Sequence, residues 1–353
     1  MKKIILHTFY ALVLSVTTLL SPAAMAETKD SFKICWSIYV GWMPWDYAAY
    51  SGKLDKWAKK YDIEIEMVQI NDYIESINQY TAGAFDGCTM TNMDALTIPA
   101  AGGVDTTALI IGDYSNSNDA VVLKGTDKLA DIKGQSVNLV ELSVSHYLLA
   151  RGLDSVGLSE RDVKVINTAD ADLVSAFTTK DVTAVTTWNP LLAEIDNMPK
   201  SEVVFDSSDI PGEIIDVMVV NTQTLKDNPK LGKALAGAWY ETMQEFTAKN
   251  EKALSYMAES SGTDLAGYQA QLDSTNMFFT PSSAVEFTTS DQLVKTMKQV
   301  AEFSFDKGLL GEGAADASFI GMSYPGGVTS GEKSNIKLRF DATYMQMAAD
   351  NSL

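Results

Sequence analysis

Cys35-Trp-Ser-Ile-Tyr-Val-Gly-Trp-Met-Pro-Trp-Asp-Tyr-Ala-Ala-Tyr50 holds six aromatic residues in sixteen: Trp36, Tyr39, Trp42, Trp45, Tyr47 and Tyr50, with Asp46 among them. Phe32 to Trp36 before it reads as a buried strand, and Ala48 to Lys60 after it as a helix. Gly41 and Pro44 interrupt both patterns, which places the aromatics on a strand-to-helix turn. In an open α/β sheet that turn lies at the carboxyl edge of the strands, where ligands bind. Indole and phenol rings gathered there offer faces that attract small cations or planar polar molecules. Any one ring could equally pack the first helix onto the sheet.

The same grammar continues along the chain. Asp62 to Ile70 alternates Ile63, Ile65 and Met67 with Glu64 and Glu66, a strand with one solvated face. Asn71 or Asp72 caps a helix that runs to Thr81, and Gly83 stops it. Short strands at 85–90 and 106–111 follow, with a helix opened by Asn92 and Asp94 between them. Further strands are predicted at 118–124, 135–140, 163–167, 182–186, 202–205 and 214–220. Helices intervene at 144–156, from Asp170 or Asp172 to Thr179, and from Trp188-Asn-Pro190. Beyond Leu225 the pattern is helical to about residue 308, and a strand returns near 336–340. Strands alternating with helices predict parallel sheet. The unit Ile77 to Asn92, a helix end, a short strand and a polar helix start, is echoed at Val174 to Asn189. Two lobes of like topology around a shared cleft would follow from that echo.

Composition narrows the function classes. Lys2 and Lys3, an apolar run from Ile4 to Leu20 and Ala24-Met-Ala26 form a secretory signal over residues 1–26. No Cys follows the cleavage point, so lipid attachment by that route is not indicated. An exported chain is expected, long enough for two lobes. Its formal net charge of −19 argues against nucleic acid, whose phosphates would be repelled. Cys35 and Cys88 are the only cysteines; they read as two buried thiols or as a bridge, and give no zinc pattern. Beyond the signal His146 is the only histidine, so neither a metal site nor a catalytic triad is predicted, and no cofactor. Gly102-Gly103 lacks a following Lys-Ser/Thr pair, so nucleotide hydrolysis would belong to a partner.

Thr81-Ala-Gly-Ala-Phe-Asp86, Leu129-Ala-Asp-Ile-Lys-Gly134, Gly157 to Ile166 and Val182-Thr-Ala-Val-Thr-Thr-Trp-Asn-Pro190 resemble the extracytoplasmic solute-binding proteins of ABC importers, in the nitrate, taurine and sulfonate group. Within it, segment 35–50, Asn71 to Ser76, Asn92 to Leu96 and Glu141-Leu-Ser-Val-Ser-His-Tyr147 resemble a subgroup whose genes neighbour urea carboxylase. The resemblance implies a two-lobed periplasmic-binding-protein fold of the α/β class, each lobe a mainly parallel sheet flanked by helices. The first lobe would hold 27–118 and 219–353, the second 119–218, with the ligand in the cleft between them. It also implies a periplasmic monomer, not an enzyme, that hands guanidinium or urea to a membrane permease and its ATPase subunit.

The residues expected to hold such a ligand follow from its chemistry. Guanidinium needs planar acceptors and tolerates stacking on rings. Candidate acceptors are Asp46, Asp94, Asp113, Glu141 and Asp216, two or so of which should touch it. Glu141 departs from the small polar residues expected opposite an anion, and would repel nitrate or a sulfonate. Neutral urea would need donors as well, for which Asn92, Asn189, Ser143 and Tyr39 are available. Trp42, Trp45 and Trp188 are the candidate rings. A sulfonate or nitrate binder, a quaternary-ammonium binder and an enzyme on the same fold are the alternatives.

Overall fold

The computed structural model describes residues 29–353; the predicted signal over 1–26 lies outside the described residues. The strands are β1 (Ser31–Trp36), β2 (Glu64–Gln69), β3 (Gly87–Thr91), β4 (Thr106–Ser115), β5 (Asp119–Lys124), β6 (Ser136–Leu139) and β7 (Lys164–Asn167). They continue with β8 (Ala184–Trp188), β9 (Ser201–Asp206), β10 (Ile215–Asn221), β11 (Thr275–Met277), β12 (Gly321–Ser323), β13 (Thr329–Ser330) and β14 (Ile336–Phe340). They form two sheets. One is ordered β13-β12-β14-β4-β10-β3-β1-β2, with β11 paired to β4; the other is β7-β6-β8-β5-β9. Among the described residues no helix is long and apolar enough to cross a membrane.

Each sheet keeps a parallel run, β2-β1-β3 in one and β7-β6-β8 in the other. The sheets are mixed rather than mainly parallel, because β10 in the first and β5 in the second run against both of their neighbours. β4 leaves the first sheet at Ser115, and the chain enters the second as β5 at Asp119, antiparallel to β8 and β9. After β9 it crosses back as β10, antiparallel to β3 and β4. The crossings are knotted together by hydroxyls. Ser115 Oγ lies 2.5 Å from Asp119 Oδ2 and 2.6 Å from Ser207 Oγ, and the Ser117 N–H donates to Ser207 Oγ.

Local chemistry explains most element boundaries. Asp72 caps the helix Tyr73–Thr81 by accepting from the Glu75 N–H, and Ser143 caps Val144–Ser155. The single helix expected over 48–60 is two, Met43–Tyr50 and Lys53–Lys60. Gly52 lies between them at φ +76°, a left-handed conformation that stops the first and starts the second. On β5, Val121 and Leu123 face the main core, while Ala120 and Val122 face a separate cluster with Phe177, Val185, Leu192 and Ile195. That alternation buries both faces of the second sheet. Cys35 and Cys88 oppose each other on neighbouring parallel strands, Cα atoms 4.4 Å apart, and are bridged.

Candidate functional site

The carboxyl ends of β1, β3 and β8 and the two crossovers converge on one small cavity. After β1 the chain turns through Ser37, Tyr39 and Trp42, and the Tyr39 carbonyl accepts the N–H groups of Trp42 and Met43. Pro44 then suits the first helical turn. Thr91 ends β3, Trp188 ends β8 and Asp119 begins β5; the last two are register partners. Asp216 comes from β10, with Ile214 just before it. Tyr73 and Val144 each open a helix. These ten residues line the cavity, which offers about 20 Å3 of water-accessible space. A single water needs ~10–15 Å3 on that measure, so the site suits a compact ligand of a few heavy atoms.

The rings form an unbroken chain from the first sheet to the second. Tyr39 and Trp42 meet edge-on at 4.9 Å, Trp42 and Tyr73 lie tilted at 5.7 Å, and Tyr73 and Trp188 meet edge-on at 5.9 Å. The Trp42 indole Nε1, fully buried, has no hydrogen-bond partner among the described residues.

Four buried carboxylates stand around and behind these rings. Asp119 and Asp216 line the cavity. Asp113 accepts from the Tyr39 hydroxyl at 2.9 Å and is the register partner of Asp216. Asp94 accepts from the Tyr73 hydroxyl at 2.6 Å and from Thr91 Oγ1 at 2.8 Å, and so holds two lining residues in place. Burial disfavours the ionised form of each. It pushes Asp94 up to about 6 against the hydrogen bonds of Tyr73 and Thr91. Asp119 rises to about 6 against the Ser115 hydroxyl, and Asp113 to about 7. Asp216 is raised well above the usual carboxylate range by burial and by the charges of Asp113 and Asp119. Among the described residues none of the ion pairs includes any of the four. Among the described residues no Lys, Arg or His lines the cavity.

Of the residues singled out from sequence, Tyr39, Trp42, Trp188 and Asp216 line the cavity, and Asp94 and Asp113 support it from behind. The others stand elsewhere. Trp45 is fully buried against Trp239, ring centroids 4.8 Å apart, and serves the packing of two helices. Asp46 accepts from Ser260 Oγ on the neighbouring helix Glu251–Ser260. Asn92 joins strands instead, its Oδ1 accepting the Ile215 N–H and its Nδ2 donating to the Glu213 carbonyl. Ser143 is occupied by its cap, and Asn189 Oδ1 accepts the Ala193 N–H. Glu141 is exposed and borders a wider cleft of about 260 Å3 beside Asp72, Glu75 and Asp170. Tyr73 borders both spaces. His146 is paired with Glu160, which Lys307 also meets, and does not line the cavity.

Ser37, Tyr73, Thr91, Asp119, Val144 and Ile214 line the cavity without having been singled out as ligand contacts. Asp119 had one usable signal, its place at the start of the strand predicted over 118–124, the same strand-end position that singled out the other acids. Tyr73, next to the helix cap Asp72, lies within a segment noted only for its family resemblance.

The family described as NMT1/THI5 like matches residues 48–253, more than half of the chain, and the chain belongs to it. A protein of Brucella abortus (strain 2308) described as a binding protein is 26% identical over 180 residues, 50% of this chain and 56% of that protein. The chain thus spans about half the length of that relative. The taurine-binding periplasmic protein of Escherichia coli (strain K12) is 24% identical over 219 residues, 60% of this chain and 67% of that protein. Among solved structures, the alkanesulfonate-binding protein SsuA from Xanthomonas axonopodis pv. citri superposes with a TM-score of 0.69 at 16% identity. That match covers 81% of this chain and 96% of the other. The nitrate-binding protein NrtA from Synechocystis gives 0.58 at 12% identity, over 91% and 98%. The shared architecture is the periplasmic-binding-protein α/β fold, two sheets flanked by helices.

Proposed function

We propose that this member of the NMT1/THI5 like family is the substrate-binding protein of an ABC importer, and that its cargo is a small planar cation, guanidinium in first place. In this reading the lobes are 27–118 with 219–353, and 119–218. They close on the ligand by bending at the crossovers, and the closed protein delivers it to a permease served by an ATPase subunit. The periplasm is the compartment that a cleaved leader over 1–26 implies.

One observation carries the choice of cargo: four buried carboxylates, Asp94, Asp113, Asp119 and Asp216, surround an aromatic-walled cavity with no basic side chain facing them. Burying unpaired carboxylates is costly, and a cation removes the cost. Asp119 and Asp216 stand on strands of different sheets, so a cation donating N–H groups to both would also draw the lobes together. Guanidinium donates in its plane and stacks on its faces, which matches acceptors set among Tyr39, Trp42, Tyr73 and Trp188. A sulfonate or nitrate, as bound by the relatives whose names say so, would meet two carboxylates and no counter-charge. Urea would leave the negative charge unbalanced. A quaternary ammonium would satisfy the rings but could not donate to the carboxylates.

Thermal-shift measurement with guanidinium, urea, taurine, nitrate and choline tests this. A ligand at one hundred times its dissociation constant stabilises by ~2.7 kcal/mol. Guanidinium is expected to give the largest shift. A shift with taurine or nitrate alone rejects the cation reading, and an equal shift with urea rejects charge as the selector.

A further inference from the structure

The pairing of Asp113 with Asp216 bears on what happens as the cation enters, and rests on the cation reading above. The two residues oppose each other on β4 and β10, and both are buried. Tyr39 donates to Asp113 Oδ1, while Asp113 Oδ2 has no donor among the described residues. As register partners on adjacent antiparallel strands, the two carboxyl groups stand on the same face of the sheet. Gly41 closes the remaining side, since a Cβ there would fall 2.4 Å from Asp113 Oδ2. An oxygen confined against a second carboxylate is satisfied by a proton held between the two. The groups that face the pair from other elements cannot take the place of that proton. They are Tyr39 on the turn after β1, Tyr268 on the helix Leu265–Asp273 and Asp119 on β5, all acidic or neutral.

We infer that the Asp113–Asp216 pair shares one proton before ligand arrives and releases it to solvent when the cation binds, so that each cation captured expels one proton. The O–H bond at the pair breaks, the proton passes to buffer, and the pair goes from one negative charge to two. The incoming cation cancels the added charge, so the buried site keeps the same net charge in both states. Asp216 touches the ligand; Asp113 is a positioning residue that acts through it. Burial raises both carboxyls, and the charges of Asp113 and Asp119 raise Asp216 further. Proton release that is lost in Asp113→Asn, with Asp94 and Asp119 unchanged, therefore reports the pair.

The test is calorimetric titration of the full mature protein with guanidinium chloride in two buffers of different ionisation enthalpy. About one proton released per guanidinium is expected, with affinity rising by up to about tenfold per pH unit below the pair's upper pKa. Asp113→Asn supplies a permanent N–H donor to Asp216 and should abolish both the release and the pH slope. Guanidinium binding with no proton release, or a slope kept in Asp113→Asn, overturns the inference and leaves the cation reading standing. Absence of guanidinium binding at every pH overturns both. Should Asp113→Asn not fold, carboxyl carbon NMR of the wild-type protein decides. A carboxyl that loses its proton on guanidinium addition supports the inference, and none doing so overturns it.

Discussion

Acidic side chains are treated in two ways in this molecule. Away from the cavity two half-buried acids, Glu213 and Asp105, are answered by bases. Arg151 donates to both oxygens of Glu213 at 2.8 and 3.0 Å with Tyr147 as a third donor, and Arg339 grips Asp105 in the same two-pronged way. At the cavity Asp94, Asp113 and Asp119 receive hydroxyl donors, and among the described residues no base pairs with them or with Asp216, although all four are more deeply buried. The difference teaches where the structure stores an unmet demand for positive charge. A base at this position would add stability, but would also occupy the place of a cationic ligand.

The contrast breaks most sharply under substitution at the cavity. Asp216→Asn and Asp119→Asn should each weaken guanidinium binding by about thirtyfold or more in calorimetry, since removing one partner of a buried charge pair costs ~2–5 kcal/mol. Asp119→Asn should also raise the Tm of the ligand-free protein, because a desolvated charge is removed. A lower Tm together with unchanged affinity would erase the distinction between the two regions.

Acidity should sharpen the comparison through opposite signs. The folded-state pKa values of Asp94, Asp113, Asp119 and Asp216 are raised, so the folded chain binds these protons more tightly than the unfolded one. Their contribution is complete below about pH 4 and is lost as pH rises through about 6 to 7 and beyond. For Asp105 burial acts upward, but the Arg339 and Thr222 hydrogen bonds outweigh it and the net shift is downward. Its contribution is present above the ordinary carboxylate range and disappears on acidification. Ligand-free Tm should therefore fall between about pH 5 and pH 8, by ~2 °C for each ~1 kcal/mol lost, and saturating guanidinium should flatten that fall. A ligand-free Tm that rises across this interval would contradict the assignment.

Smaller effects are expected from the answered acids and from the outer cleft. Asp105→Asn leaves Arg339 without its two-pronged partner and should lower Tm by ~1–3 °C, with guanidinium affinity unchanged within about twofold. Glu141→Gln should change affinity least, by about twofold at most, since an exposed charge is screened by solvent and salt. A tenfold loss there would move the binding locus out to the wider cleft.

The fold was legible because local chemistry spelled it out. The alternation in β2, a cap at Asn71 or Asp72 and the stop at Gly83 were each readable over a few residues. The site was legible only in part. Trp42 and Trp45 stand three residues apart in the same aromatic run, and nothing local separates them. Trp239, on the helix Pro229–Thr247, draws Trp45 into the core and leaves Trp42 at the cavity. Glu141 and Asp119 show the same limit. Both are acids at a strand end, yet one turns to solvent beside an exposed loop and the other is sealed where the chain changes sheets. Which of two similar acids ends up buried depends on partners far away along the chain.

The bridge between Cys35 and Cys88 has a mechanical consequence. It rivets β1 to β3 a few residues before Tyr39, Trp42 and Thr91, so the half of the cage built on the first sheet is braced like the fixed jaw of a vice. Asp119 and Trp188 ride on the other sheet, beyond the crossovers. Any widening that frees a captured molecule would then come from that unbraced jaw, and the lifetime of the complex would be governed by how readily it swings.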